Sequence, residues 1–150
     1  MINHTFMVVP TQQKEWSQGK GWFLIIAIFL GGLGGGTYLV SMWLNFNLGL
    51  LLGWLMVLFG KTTAHLLFLG RPSRFWRAFA RPQSSWISRG IIILILFLVF
   101  SALQLAPLVK QLEWLPWGTD SFLLKTLASI SALGLIMYTG FLLGSIMAIA

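Results

Sequence analysis

Cysteine is absent from this chain of 150 residues, and aspartate and glutamate together number 3. Without a thiol the chain forms no disulfide and ligates no metal through sulfur, iron–sulfur clusters included. The two histidines, His4 and His65, fall short of the axial ligands that a bis-histidine di-haem bundle takes. No haem, iron–sulfur or other metal site is therefore expected. Charge is scarce as well: charged residues make up 9%, against roughly 25% in an ordinary globular chain. Apolar residues take their place, at 57% of the chain and a mean hydropathy of +0.85. Such a composition needs a non-aqueous solvent along most of its length. At ~20 residues per crossing, the length accommodates about four helices with loops and a short tail, and a large catalytic domain is excluded. A net charge of +7 would suit nucleic acid, but the basic residues flank apolar stretches, as membrane orientation requires. No nucleic-acid partner is expected.

The expected architecture is an all-α integral membrane protein, a bundle of four transmembrane helices with a short amphipathic interfacial helix between the second and third. Residues 1–20 form a polar tail, and the bundle occupies 21–150. No charged residue appears between Lys20 and Lys61, a stretch too long for one crossing and broken at Asn45-Phe46-Asn47. This places the first two helices at about 21–44 and 48–69. The third runs over about 86–109, with Pro107 near its end, and the fourth over 122–150. The first apolar run is too long for a signal peptide, and no small-x-small cleavage site follows it. Trp16, Trp22, Trp43, Trp76, Trp86, Trp114 and Trp117 lie at or near expected helix ends, as in an aromatic belt at the headgroups. Glycines at Gly31-x3-Gly35, Gly32-x3-Gly36 and Gly140-x3-Gly144 are expected to let helix backbones approach closely. The sequence stops at Ala150 within apolar residues, which reads as part of a longer chain.

Ionisable groups in a span are costly and so are candidates for function. Lys61 and His65 are four residues apart, on one face of the second helix. Lys61 has two readings, a cation that snorkels to the interface or a buried site group. His65 is the one histidine near the bilayer, and an imidazole exchanges protons near neutral pH; packing is its other reading. Between Pro72 and Pro82, Arg74, Arg77 and Arg81 share one face of a short helix, and Phe75, Trp76 and Phe79 share another. With Arg71, these arginines suit either membrane lipid headgroups or an acidic partner. Arg89 returns a further guanidinium towards the His65 end. Of the two tyrosines, Tyr38 reads as packing. Tyr138, with Gly134 one turn before it leaving space beside the ring, reads equally as packing or as a ligand contact. No carboxylate lies in any expected span, which speaks against a proton-coupled transporter. A lipid-soluble ligand bearing carbonyl groups fits these donors.

At these residues the chain resembles the NrfD-like family, the polysulfide reductase membrane subunits and related anchors of molybdopterin oxidoreductases. The resemblance rests on G-G-L-G-G-G-T-Y-L from Gly31, H-L-L-F-L-G-R-P from His65 and R-F-W-R-A from Arg74. It continues with R-P-Q-S-S-W-I-S-R-G from Arg81 and Y-T-G-F-L-L from Tyr138. The match covers nearly the whole chain after its tail. Family members usually have eight or more helices, and this chain corresponds to their first four-helix bundle. The resemblance implies a quinone-reactive subunit, taking menaquinone or ubiquinone and holding no redox metal of its own. It also implies a four-cluster iron–sulfur ferredoxin-like partner and a molybdopterin-type catalytic subunit. By position, His65 and Tyr138 match the family's quinone pocket, with Lys61 and Arg89 beside them and His65 as the catalytic proton-exchanging group. Arg71, Arg74, Arg77 and Arg81 would dock the iron–sulfur subunit.

The family implies a prokaryotic cytoplasmic membrane. Lys14, Lys20 and the arginines from Arg71 to Arg89 lie on one side of the expected topology, against Lys110 and Lys125 on the other. The charge count puts the N-terminus and the arginine loop in the cytoplasm, with both chain ends on that side. Two other functions remain open to the sequence, a purely structural membrane anchor of a redox complex and a small transporter.

Overall fold

The computed structural model describes residues 19–69, 76–77, 83, 85–109, 112, 114–117 and 120–147, and the side chains only as far as residue 141. Among the described residues all regular structure is helical, in four helices long and apolar enough to cross a membrane. Helix α1 is Gly21–Trp43. Helix α2 spans Asn47–Phe68 and is built from two α segments, Asn47–Leu55 and Thr62–Phe68, around a π-helical segment, Met56–Lys61. Helix α3 is Trp86–Leu105, extended by a 3-10 turn, Ala106–Leu108, that begins at the residue before Pro107. Helix α4 is Phe122–Met147. The expected boundaries agree to within a few residues, and the π segment was not expected. Most of the interfacial helix expected between α2 and α3 lies outside the described residues, as do Arg71, Arg74 and Arg81.

The break at Asn45 has a local cause. Asn45 adopts a left-handed φ of 51°, a conformation that asparagine tolerates better than most residues. This lets the Phe46 amide reach back to the Ser41 carbonyl at 2.8 Å, and the Asn45 amide to Met42 at 3.3 Å. Two carbonyls that α1 would leave unpaired are thereby satisfied, in the manner of a Schellman turn, and α2 starts at once in the opposite direction. At the other end of the bundle, the Ser85 hydroxyl caps α3 by accepting from the Ser88 amide.

Helix α1 lies between α2 and α4, and α4 packs along α3; α2 and α3 touch only sparsely. The closest approach joins α1 to α2 at Gly34 and Gly53, where a side chain on either glycine would run into the backbone of the other helix. Gly35 does the same work against Ile136 of α4, whereas Gly32, Gly36 and Gly140 face open space. Of the spaced glycines singled out in the sequence whose surroundings are described, only Gly31 and Gly35 make close contacts, and with different neighbours; Gly144 lies outside the described side chains. The core between the helices consists of Tyr38, Leu50, Val57, Phe97, Leu105 and Leu135 with Ala128 and Ala132. Tyr38 meets Phe97 edge to face at 5.2 Å, and its hydroxyl donates to Gln104 Oε1 at 2.7 Å, so the ring packs and its polar end is satisfied. Serine and threonine hydroxyls on α4 bond back to carbonyls of their own helix. The outer surface is the reverse of a soluble protein's: Phe29, Leu33, Val40, Phe59 and Ile130 all point outward.

Candidate functional site

The π segment positions the site. Its wider turn is marked by the Thr62 hydroxyl, which donates to the Val57 carbonyl five residues earlier at 3.1 Å. Gly60, within this segment, lies against Leu30 of α1. Lys61 closes the segment and turns into the bundle, where it is 2% exposed. It is the one buried charged side chain among the described residues. The snorkelling reading of Lys61 therefore gives way to the buried one.

Two glycines make room for this group and its neighbour. A Cβ on Gly31 would come 2.8 Å from Lys61 Nζ and 2.9 Å from its Cδ, so the lysine stem lies directly across that glycine. Nζ donates to the Ala27 carbonyl at 3.5 Å and stands 6.0 Å from the centroid of the Tyr138 ring. Tyr138 is itself buried, and its ring occupies the place where a Cβ on Gly90 of α3 would be. The sequence pointed to Gly134 for that space; Gly134 instead accommodates Ile93. No pattern within one helix could have paired Gly90 with Tyr138, because the contact depends on how α3 and α4 pack.

One turn beyond Lys61, His65 is half-buried, and its Nδ1 is shielded from solvent with no hydrogen-bond partner. Buried polar atoms are nearly always satisfied; the Ser101 hydroxyl is the other such atom without a partner among the described residues. Arg89 lies outside this buried group. It is exposed, its guanidinium covers the Trp86 ring at 4.7 Å, and it donates to the Gln83 carbonyl at 2.7 Å. Trp86 in turn stacks on Phe141 at 5.1 Å, which ties α3 to α4 at this end. Of the loop arginines only Arg77 is described, exposed beside Trp76.

Lys61, His65 and Tyr138 are thus drawn from two helices to one end of the bundle, lined by glycines of two others. The set offers an ammonium, an imidazole nitrogen and an aromatic ring, and no carboxylate occurs in any of the four spans. Its donors fit a flat ligand that presents carbonyl oxygens. Among the described residues no three His, Asp or Glu side chains group together. No family model, curated protein or solved structure matches the chain.

Proposed function

We propose that this chain is a membrane subunit of a quinone-linked oxidoreductase complex in a prokaryotic cytoplasmic membrane. Four apolar helices with an apolar exterior support the membrane setting, because contiguous apolar surface on this scale is not left facing water. The observation that carries the quinone reading is Lys61, a cation held inside the bundle without a counter-charge among the described residues. An uncompensated buried charge is strongly unfavourable, and its retention is accounted for by a ligand that it binds. When bound, a quinone supplies a couple that carries both electrons and protons. The residues of the chain do the rest. Lys61 holds a carbonyl oxygen and favours negative charge there, and His65 hydrogen-bonds an oxygen and moves its proton through the free Nδ1. Tyr138, held on Gly90, keeps the head flat against the bundle.

In this reading electrons pass between the quinone and a four-cluster iron–sulfur ferredoxin-like subunit docked on the arginine loop, which exchanges them with a molybdopterin-type subunit. The loop faces the cytoplasm by its charge. The resemblance supports these partners, and the quinone is menaquinone or ubiquinone. His65→Ala in the assembled complex tests the assignment. Quinone-linked turnover is expected to fall by at least ~100-fold, the ordinary worth of a general acid–base group. Dye-linked activity of the catalytic subunit and the composition of the complex should stay unchanged. Wild-type quinone turnover in an assembled variant refutes the role, as does loss of assembly, which assigns His65 to packing.

A further inference from the structure

The end of the bundle opposite Lys61 carries a second set of polar groups that quinone chemistry leaves unused. A cavity of about 300 Å³ opens there between α1, α3 and the start of α4, bordered by Asn45, Asn47, Gln104, Asp120 and Lys125. Gln104 is 2% exposed, and its Oε1 is occupied by the Tyr38 hydroxyl. Asp120 and Lys125 are joined at 2.6 Å, with the carboxylate side chain 89% exposed and the lysine 29%. The cavity therefore offers three carboxamides and one ammonium–carboxylate pair towards its mouth, with no net charge. Lys125 lies near the N-terminus of α4, the end at which the helix dipole disfavours a cation, and no acidic residue occupies that first turn. Asp120, just before that turn, already meets this ammonium, which has further N–H groups for an anionic ligand.

Next to the cavity, where α2 and α3 diverge, runs an apolar groove of about 520 Å³ walled by Leu51, Trp54, Ala102, Ala106 and Val109. Asn47, Leu105 and Leu108 border both spaces. The indole N–H of Trp54 is already used by the Leu98 carbonyl at 3.0 Å, so it brings no unpaired donor to the wall. A polar cavity and an apolar groove that share a wall form one site with a wet half and a hydrocarbon half. Trp114 and Trp117 lie in the segment between α3 and α4 at this same end, the level at which indoles mark the headgroup layer.

We infer that this joint site holds one zwitterionic phospholipid of the phosphatidylethanolamine type. Its phosphate lies on Lys125, its ammonium on Asp120, its ester carbonyls against the carboxamides, and one acyl chain in the groove. The charge pattern selects this head. A zwitterion meets both members of the pair with charge-assisted hydrogen bonds. A headgroup with only negative charge would face Asp120 unfavourably. A choline head lacks the N–H groups that a carboxylate binds. The inference rests on the membrane setting proposed above and is independent of the quinone.

Native mass spectrometry of the full chain in mixed micelles, with phosphatidylethanolamine, phosphatidylglycerol or phosphatidylcholine added, tests it. One phosphatidylethanolamine should stay bound per chain, about tenfold more tightly than either competitor. Asp120→Asn combined with Lys125→Gln should erase that preference, and Ala102→Trp, which fills the groove, should weaken retention of all three lipids. Equal retention of the lipids, or an unchanged preference in the double variant, overturns the assignment. Carbonate extraction of cell membranes separates the two levels. A chain that leaves the membrane overturns both the setting and the site. A chain that stays in the pellet yet shows no lipid preference overturns the lipid site alone.

Discussion

Replacing Lys61 with methionine exchanges a buried cation for an apolar chain of similar length and flexibility, one that can still lie across Gly31. A lysine at the centre of a span costs about 2.5–3.5 kcal/mol on insertion scales. Little in the structure offsets this. The single hydrogen bond to Ala27 is 3.5 Å long, beyond the ordinary range for such a bond. The Tyr138 ring lies 6.0 Å away, at the outer reach of a cation–π contact worth roughly 0.5–1 kcal/mol. The net burden is about 1.5–3 kcal/mol, so Lys61→Met should stabilise the isolated chain by about that amount. Equilibrium unfolding of the chain in mixed micelles, titrated with a denaturing detergent and followed by helical circular dichroism, measures it. The same substitution should abolish quinone-linked turnover in the complex while sparing dye-linked activity. A loss of stability of similar size would refute the reasoning, because the lysine would then be a strut of the fold. A stabilised variant with full quinone turnover would refute the site.

Gly90→Ala places a methyl group where the Tyr138 ring now sits; it should cost about 1–3 kcal/mol as overpacking and lower quinone-linked turnover. Adding Tyr138→Ala should recover the stability but not the turnover, and additive stability losses in that double variant would show that the two positions do not meet. Replacing Arg74, Arg77 and Arg81 together with glutamine should release the iron–sulfur subunit from the detergent-solubilised complex at moderate salt. A complex that survives unchanged would assign the loop to lipid headgroups.

The spans were legible because length and apolar composition suffice to mark them, and Asn45 announced the turn through a chemistry that one residue carries by itself. The interior was less legible. Apolar character on every side leaves no periodicity to say which face of a helix looks inward, so Lys61 had two readings until the packing chose between them. The π segment at Met56–Lys61 is also invisible in the sequence, since the same apolar run suits an ordinary α-helix. Contacts between distant residues, such as Tyr38 with Gln104 or Gly90 with Tyr138, depend on the register between helices. His65 and Tyr138 stood out in the sequence because their chemistry is rare in a span. Gly90 was not, because a glycine shows its purpose only through what fills the space it leaves.

The distribution of unfavourable features along the bundle is itself an argument about where the site lies. The middle is more conventional, apart from the buried Ser101 hydroxyl, which lacks a partner: Tyr38 lies on Phe97, with Val57, Leu135 and small alanines filling the gaps. Towards the Lys61 end, four departures from good helix packing come together. The hydrogen-bond ladder of α2 is interrupted, and glycine replaces a helix-favouring residue at positions 31 and 90, at roughly 0.5–1 kcal/mol each relative to alanine. Among the described residues a cation is buried without a counter-charge, and an imidazole nitrogen lacks a partner. Each could be removed by an ordinary substitution that would leave the helices in place. Gly31 and Gly90 are also not independent of the rest, since they hold open the room that Lys61 and Tyr138 occupy. Such a set of linked costs, carried by α1, α2 and α3 at one end of the bundle, supports the proposed binding site over the reading of a passive anchor.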